Sequence, residues 1–509
     1  MNRIIKKIGS LIGILFCFVI FILNIFYVSK IADDILEGVN IKLYGLINLI
    51  LTSLIVVIIL IISKKMNEIK MSKKSKILIC IVCMIVYIAT QIYWINIRNA
   101  TPVGDQKTVY SATVSMYKEN WNELEHSKYL ELYPQQITLA TAYATIFKIF
   151  GSTNVKILQY LNVIANSLTA IILLLISKLL AKSYKINKIR TFILITTFFT
   201  LQLLSTFIYG DIISMPMYLL AIYFAMKYGM EEKNKYIIVS ACFMSISYIL
   251  RMNNLICIIA LIIYFILNML KKEKNIKKIM QKGILIILFI LISILPATII
   301  KTVIQNKLIL DKEMQYPTEG YIYMGMQESY KSNGWYSDYG SWAWEDLIGS
   351  KDRYKVAIKE RIKYFTENPK YFIKFYIIKV ASMWTENTYA GLWYNQTYNF
   401  DIPENEEKIK AESMQLDEKI KDKENVLVIY QKALILTIFG VTILAIIKNR
   451  KNLSNELILL ITVFIGGFLF HIIWEAKSRY IIPYIVILIP IASICINNFN
   501  EKNKEEKPQ

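Results

Sequence analysis

The chain has 509 residues, of which 55% are hydrophobic and only 19% are charged, and its mean hydropathy is +0.42. Soluble domains carry about 25% charged residues, so this composition excludes a disordered protein and does not suit an ordinary soluble one. The net charge of +21 would indicate nucleic-acid binding in a soluble chain. The apolar runs instead reach about 20 residues, the length that crosses the hydrocarbon core of a bilayer.

These runs predict an all-α polytopic membrane protein with about twelve transmembrane helices. A helix satisfies its own backbone polar groups, so a run of this length needs no partner to cross the lipid. The pair of runs at 236–250 and 252–270 is short, and we expect it to be tilted or half-buried. The predicted spans are 8–28, 43–62, 77–97, 155–181, 190–209, 212–228, 236–250, 252–270, 283–303, 427–447, 455–473 and 479–497.

The distribution of lysine and arginine predicts the orientation of these spans, because short loops rich in positive charge stay in the cytoplasm. With the N-terminus inside, the basic loops 64–76, 182–190, 271–282 and 448–451 all fall on the cytoplasmic side. The short loops on the other side are acidic or mixed. We therefore expect a multi-pass protein of the cell membrane with both termini in the cytoplasm, and the basic charge requires no nucleic-acid partner.

Two outside segments are too long to be simple connections. The first, 98–154, contains an apolar helix over Gln135–Phe150 that is too short to span securely and is expected at the membrane interface. The second, 304–426, is rich in Tyr and Trp, and Lys355–Phe365 and Tyr371–Trp384 are predicted amphipathic helices. The predicted parts are a transmembrane hairpin at 1–76, a transmembrane core at 77–303, an aromatic extracytoplasmic loop domain at 304–426, and C-terminal spans with a cytoplasmic tail at 427–509.

Six charged residues fall at the ends of spans on the predicted outer face. A helix bundle can bring such ends together around one cavity. Carboxylates beside cations suit a proton transfer and an acidic or phosphorylated lipid substrate. The candidate catalytic residues are Asp105 and Asp211, and the candidate substrate- or phosphate-binding residues are Arg251, Glu475, Lys477 and Arg479.

Each candidate also has a purely structural interpretation. Asp105 would be a solvated turn residue after Pro102 and Gly104, and Asp211 would be the N-cap of the next helix. The string 474–480 would be a charged loop within an aromatic belt at the membrane surface. The Tyr and Trp side chains of the long loop either stack on a sugar or anchor at headgroup depth. The sequence leaves these alternatives open.

Short motifs follow one another along the chain in a definite order. Each motif alone is degenerate, and the order is the specific part. The motifs are a Pro-x-Gly-Asp105 step after a span, Tyr133-Pro134 entering an apolar helix that ends at Phe147-Lys-Ile-Phe-Gly151, a span that begins near Asn154, a Tyr-Gly-Asp211 step, a turn at Arg251, and a late Glu475-x-x-x-Arg479-Tyr480.

This order resembles the GT-C glycosyltransferases, of the dolichyl-phosphate-mannose protein mannosyltransferase and lipid A aminoarabinose transferase type. The resemblance covers 77–303 best and the C-terminal spans loosely. It implies a polyprenyl-phosphate sugar donor, an active site at the outer membrane face and transfer to an acceptor hydroxyl with inversion. It also implies that Asp105 serves the acceptor, that Asp211 is the second outer acidic residue, and that Arg251 and Arg479 bind the phosphate or the donor.

The chain departs from this family in one respect. The family usually places its first acidic loop after the first span, whereas here that loop follows the third, and Asp33 and Asp34 occupy the first loop. Asp34 therefore stays an alternative to Asp105. A divalent cation is possible because some GT-C enzymes use one, but no ligand cluster in the sequence demands it. The expected partners are the lipid-linked donor, an acceptor of unknown kind and the bilayer.

Two other functions share parts of this pattern. A lipid-linked sugar flippase would also have many spans and outer cations, but it would place ionisable residues near the bilayer midplane and show related halves. A polysaccharide polymerase uses a large outer loop and a lipid-linked sugar, and the sequence separates it poorly from a transferase of single sugars.

Overall fold

The computed structural model describes residues 2–32, 36–69, 72–125, 127–272, 275–336, 351–397 and 407–495. Within these ranges the chain is mainly helical, as the apolar runs predict, and serine side chains cap the starts of several helices, as is usual. The α-helices, numbered in chain order, are α1 (Asn2–Phe26), α2 (Leu46–Glu68), α3 (Lys73–Arg98), α4 (Asp105–Tyr117), α5 (Lys128–Leu132), α6 (Gln136–Phe150), α7 (Lys156–Leu180), α8 (Lys188–Thr196), α9 (Phe199–Leu203), α10 (Met215–Glu231), α11 (Lys235–Leu250), α12 (Leu255–Lys272), α13 (Ile276–Lys307), α14 (Thr318–Met324), α15 (Lys351–Glu367), α16 (Pro369–Trp384), α17 (Glu407–Asn449), α18 (Asn455–Ile473), α19 (Ile482–Val486) and α20 (Ile489–Ala492).

The helices that could cross a membrane are fewer than the twelve predicted. In the described ranges, eight are long and apolar enough, or nine if the bent pair of α8 and the segment Phe199–Thr206 forms one span. The predicted spans at 212–228 and 236–250 form helices of only 17 and 16 residues. The region 479–497 is divided into short helices with prolines at their starts, because proline cannot continue a helix that precedes it.

Two helices are longer than predicted. Helix α13 has 32 residues and contains Pro296. Helix α17 has 43 residues and begins 20 residues before the predicted span at 427–447. At 1.5 Å per residue, this extension is about 30 Å long. This extension is highly charged. The last part of the predicted loop domain is therefore a polar continuation of a membrane helix. The helices predicted at 135–150, 355–365 and 371–384 are confirmed as α6, α15 and α16.

A two-stranded antiparallel hairpin, which the sequence did not predict, follows α1. Strand β1 (Tyr27–Ile31) pairs with strand β2 (Val39–Leu43). The hairpin is anchored at both strands, since Ser29 N donates to Thr385 O at 3.1 Å and Val39 N donates to Lys331 O at 2.8 Å. It therefore joins the N-terminal segment to the loop domain and fixes the residues that follow β1.

The predicted basic loops lie together at one end of the helix bundle. Lys6 Nζ donates to Leu453 O at 2.7 Å, and Tyr184 OH donates to Asn452 O at 3.3 Å. Arg190 Nη1 donates to Ala492 O at 3.2 Å. Arg251 lies where α11 ends, and Glu475 follows the end of α18. Both residues are therefore at the opposite end of the bundle. The chain therefore separates a basic end from an end that holds the candidate site residues.

Candidate functional site

Asp211 is held by two arginines from distant parts of the chain. Arg251 Nη2 lies 3.1 Å from its Oδ1 and Arg479 Nη1 lies 3.3 Å from its Oδ2. The turn that carries Asp211 depends on Gly210, which has a φ of +85° and approaches Leu250 O so closely that a Cβ would lie 2.2 Å away. The N-cap interpretation of Asp211 is wrong, because the N-cap position of α10 belongs to Ser214.

Aromatic rings enclose the guanidinium group of Arg479. Its Cζ lies 4.8 Å from the ring centroid of Phe207 and 5.0 and 4.9 Å from those of Tyr209 and Tyr480. The residue is only 2% exposed, and its Nε finds no hydrogen-bond partner among the described residues. Because a buried donor without a partner costs about 1–3 kcal/mol, this N–H is a ready contact for a ligand oxygen.

A second group of charges lies around Glu37, which the hairpin turn supplies. Lys477 Nζ lies 2.9 Å from its Oε1 and Lys331 Nζ lies 3.0 Å from its Oε2. Burial alone would raise the pKa of Glu37, but the two ammonium groups together bring that pKa below its ordinary value. Glu37 is therefore a buried anion that holds a predicted binding residue, Lys477, in place.

Glu475 lies between these two groups. Burial raises its pKa to about 6, an effect that Lys477 opposes and Asp105 reinforces. The preceding backbone is fixed by Lys379 in α16, whose Nζ donates to Trp474 O and Ile472 O at 2.8 Å. Burial lowers the pKa of Lys379 to about 7. Here we define the charged cluster as Glu37, Asp211, Arg251, Lys331, Glu475, Lys477 and Arg479.

The raised pKa of Glu475 predicts a pH-dependent stability. Its ordinary pKa is 4.5 and its folded-state pKa is about 6, so the unfolded chain loses this proton first as the pH rises, and stability falls between these values. We expect Glu475→Gln to be more stable than the wild type by about 1–2 kcal/mol above pH 6 and equally stable below pH 4.5. Denaturation in mixed micelles across this pH range measures the difference.

The matched control for this prediction is Glu313→Gln, which changes an exposed glutamate in the same way. Its stability should follow the wild type at every pH. If Glu475→Gln also follows the wild type, Glu475 is solvated and its pKa is not raised.

Asp105 lies at the edge of the charged cluster. The sequence predicts Asp105 in a loop, but in the structure it is the first residue of α4. It follows Gly104, which has a φ of +52°. Its side chain is exposed, yet its carboxylate contributes to raising the pKa of Tyr129 as well as that of Glu475. Asp105 therefore combines access to solvent with proximity to the buried charges.

The structure brings all six predicted site residues to one end of the bundle. Neither Glu37 nor Lys331 was predicted as a site residue. Glu37 stands in a short acidic loop with Asp33 and Asp34, and Lys331 stands in a polar stretch, so neither belongs to a motif. The alternative base Asp34 and the predicted aromatic residues at 337–350 lie outside the described residues. In the described part of the chain, no three His, Cys, Asp or Glu side chains could hold a metal ion.

These features define a polytopic integral membrane protein with a charged cluster at one end of its helix bundle. Residues 3–499 match the family described as conserved hypothetical integral membrane protein, and the chain belongs to that family. A search of curated proteins finds no match. The family description gives the membrane setting and no reaction.

Proposed function

We propose that the protein is a membrane glycosyltransferase that moves a sugar from a polyprenyl-phosphate donor to an acceptor hydroxyl at the outer membrane face, with inversion. The observation that supports this best is the buried Arg479, which has an N–H without a partner among the described residues and lies beside Arg251 across Asp211. Arginine suits phosphate because its planar fork of N–H groups matches two phosphate oxygens.

The proposed site binds the donor phosphate through the cations of the charged cluster. Each arginine spends part of its five N–H donors on Asp211, so donors remain for a ligand. Lys477 is 15% exposed at its side chain and can supply a third positive charge. Asp211 then acts as a positioning residue, which orients both arginines and keeps them from repelling each other before the donor binds.

In the proposed reaction, the acceptor oxygen attacks the anomeric carbon of the donor sugar. Asp105 takes the proton of the acceptor hydroxyl as the new carbon–oxygen bond forms. The bond between the anomeric carbon and the phosphate oxygen breaks on the opposite side, and its electron pair leaves with the polyprenyl phosphate. Arg251, Lys477 and Arg479 stabilise the charge that develops there.

The proposed outer placement follows from the two ends of the bundle. The basic loops lie at one end and the charged cluster at the other, so a cytoplasmic location of the basic loops exposes the cluster to the outside. Polyprenyl-phosphate donors present their phosphate at the membrane surface, where the ends of membrane-spanning helices lie.

The test uses the full chain in nanodiscs with polyprenyl-phosphate donors that carry radiolabelled glucose, mannose, galactose or aminoarabinose, and membrane extract as the acceptor source. We expect the wild type to release free polyprenyl phosphate from at least one donor and to transfer its label. The same donors are followed in proteoliposomes. Movement of intact donor across the bilayer without release would overturn the proposal in favour of a flippase, and a product ladder would indicate a polymerase.

A further inference from the structure

A cavity separate from the charged cluster lies at the same end of the bundle. Its volume is about 230 Å³, below the roughly 300–1,000 Å³ of pockets for drug-sized ligands. Its walls come from β1, the end of α3, the loop after α16 and the polar extension of α17. Two half-buried tryptophans, Trp94 and Trp393, line it, so we call it the tryptophan cavity. Its size suits a single ring-shaped unit.

The tryptophan rings are held in place by contacts outside the cavity. Trp94 Nε1 donates to Leu203 O at 3.2 Å, and the ring of Trp393 packs edge-on against Tyr394 at a centroid distance of 5.0 Å. Fixed aromatic rings offer large contact area with little loss of conformational freedom. Ile31, Leu392 and Met414 add apolar surface, while Gln396 and Glu418 add polar groups. The lining therefore combines flat apolar faces with hydrogen-bonding side chains.

The charges on the wall are largely satisfied within the protein. Lys30 Nζ lies 2.6 Å from Glu424 Oε2, and Asp417 Oδ1 lies 2.9 Å from Arg98 Nη1. The buried carboxylate of Glu386 accepts hydrogen bonds from Thr388 N and Ala390 N at 3.0 and 2.6 Å. An ionic ligand would have to break these contacts. A neutral ligand with many hydroxyl groups would not, because carboxylate oxygens that already accept one bond retain further lone pairs.

The cavity and the charged cluster share one short turn. Trp393, Tyr394 and Asn395 form a single 3₁₀ turn. Trp393 and Asn395 line the cavity. The ring centroid of Tyr394, between them, lies 5.7 Å from Arg479 Cζ. Asn395 Oδ1 accepts a hydrogen bond from Thr206 Oγ1 at 2.8 Å, which ties the turn to the segment before Asp211. A ligand in the cavity would therefore contact the two residues that flank Tyr394, whose ring lies against Arg479.

We propose that the tryptophan cavity binds one neutral sugar unit. We further infer that this sugar belongs to the acceptor, so that its hydroxyl lies near the charged cluster. Only this second part rests on the proposed function. The binding itself follows from the cavity alone and does not require transfer. The acceptor would then be a neutral carbohydrate and not a protein or a phosphorylated glycan.

Binding is tested by saturation-transfer NMR on the full chain in phospholipid nanodiscs, without glycoside detergent. The probes are the methyl α-glycosides of glucose, galactose, mannose and N-acetylglucosamine, at up to about 10 mM, which detects binding with millimolar dissociation constants. We expect signal from the ring hydrogens of at least one glycoside with the wild type. Met414→Trp fills the cavity from an exposed position on α17 and should weaken this binding at least tenfold.

Glu412→Trp is the matched control, since it places the same bulk on α17 outside the cavity, and it should bind as the wild type does. Absence of signal from all four glycosides would overturn the proposal, as would equal binding by Met414→Trp and the wild type. Release of polyprenyl phosphate is measured separately, so absence of glycoside binding by the wild type with intact release rejects the cavity alone. Intact binding with no release from any donor rejects the transferase and leaves the sugar site.

Discussion

Replacing Asp211 with alanine should destabilise the protein by about 3–5 kcal/mol, because it leaves two arginines buried at the helix ends without their shared anion. Arg479 is 2% exposed and Arg251 is 12% exposed at the side chain, so neither can regain full hydration. The Asp211 carboxylate, which precedes α10, links Arg251 before α12 to Arg479 before α19. Denaturation of purified protein in mixed micelles measures the loss.

The matched control for this prediction is Asp352→Ala. Asp352 pairs with Lys355 at 3.2 Å, but its side chain is 93% exposed, and such surface pairs contribute about 1 kcal/mol or less. A triple variant, Asp211→Leu with Arg251→Met and Arg479→Met, should recover much of the lost stability, because apolar groups often replace a buried ionic triad at little cost. Equal loss in Asp211→Ala and Asp352→Ala would mean that the ionic clamp does not stabilise the fold.

The sequence predicts the helical membrane class well because this class depends on run length and composition alone. It predicts the number of spans poorly where polar or proline residues interrupt an apolar run. The run at 190–209 contains a bend of 42° between α8 and the following helix, which hydropathy does not detect. Likewise, the β hairpin depends on hydrogen bonds from Ser29 and Val39 to segments about 300 residues away, and no local pattern encodes those contacts.

The site was partly predictable because positive charge on the predicted outer side of the spans runs against the bias of the basic loops. Arg251 and Arg479 both run against this bias, and the structure places both on Asp211. Their exact partner was not predictable, because an ion pair across 268 residues depends on how the helices pack. Glu37 was not predicted, since nothing in the sequence links its loop to Lys331 or Lys477.

Replacing Asp105 with asparagine should lower the rate of sugar transfer by about 100- to 10,000-fold, the range that general bases contribute, and leave the fold intact. Its carboxylate is exposed, so the isosteric amide removes the base without leaving a buried charge. The measurement is the release of polyprenyl phosphate by the variant in nanodiscs, with denaturation in mixed micelles as the check on folding.

Glu125→Gln is the matched control, because it neutralises another exposed carboxylate of the same segment and should transfer at the wild-type rate. Asp34→Asn tests the other acid that the sequence left open. If Asp34→Asn abolishes transfer while Asp105→Asn retains it, Asp34 is the base, and the charged cluster keeps its proposed phosphate-binding role. If Asp105→Asn lowers the rate as expected, the acceptor hydroxyl must approach from the exposed side of α4.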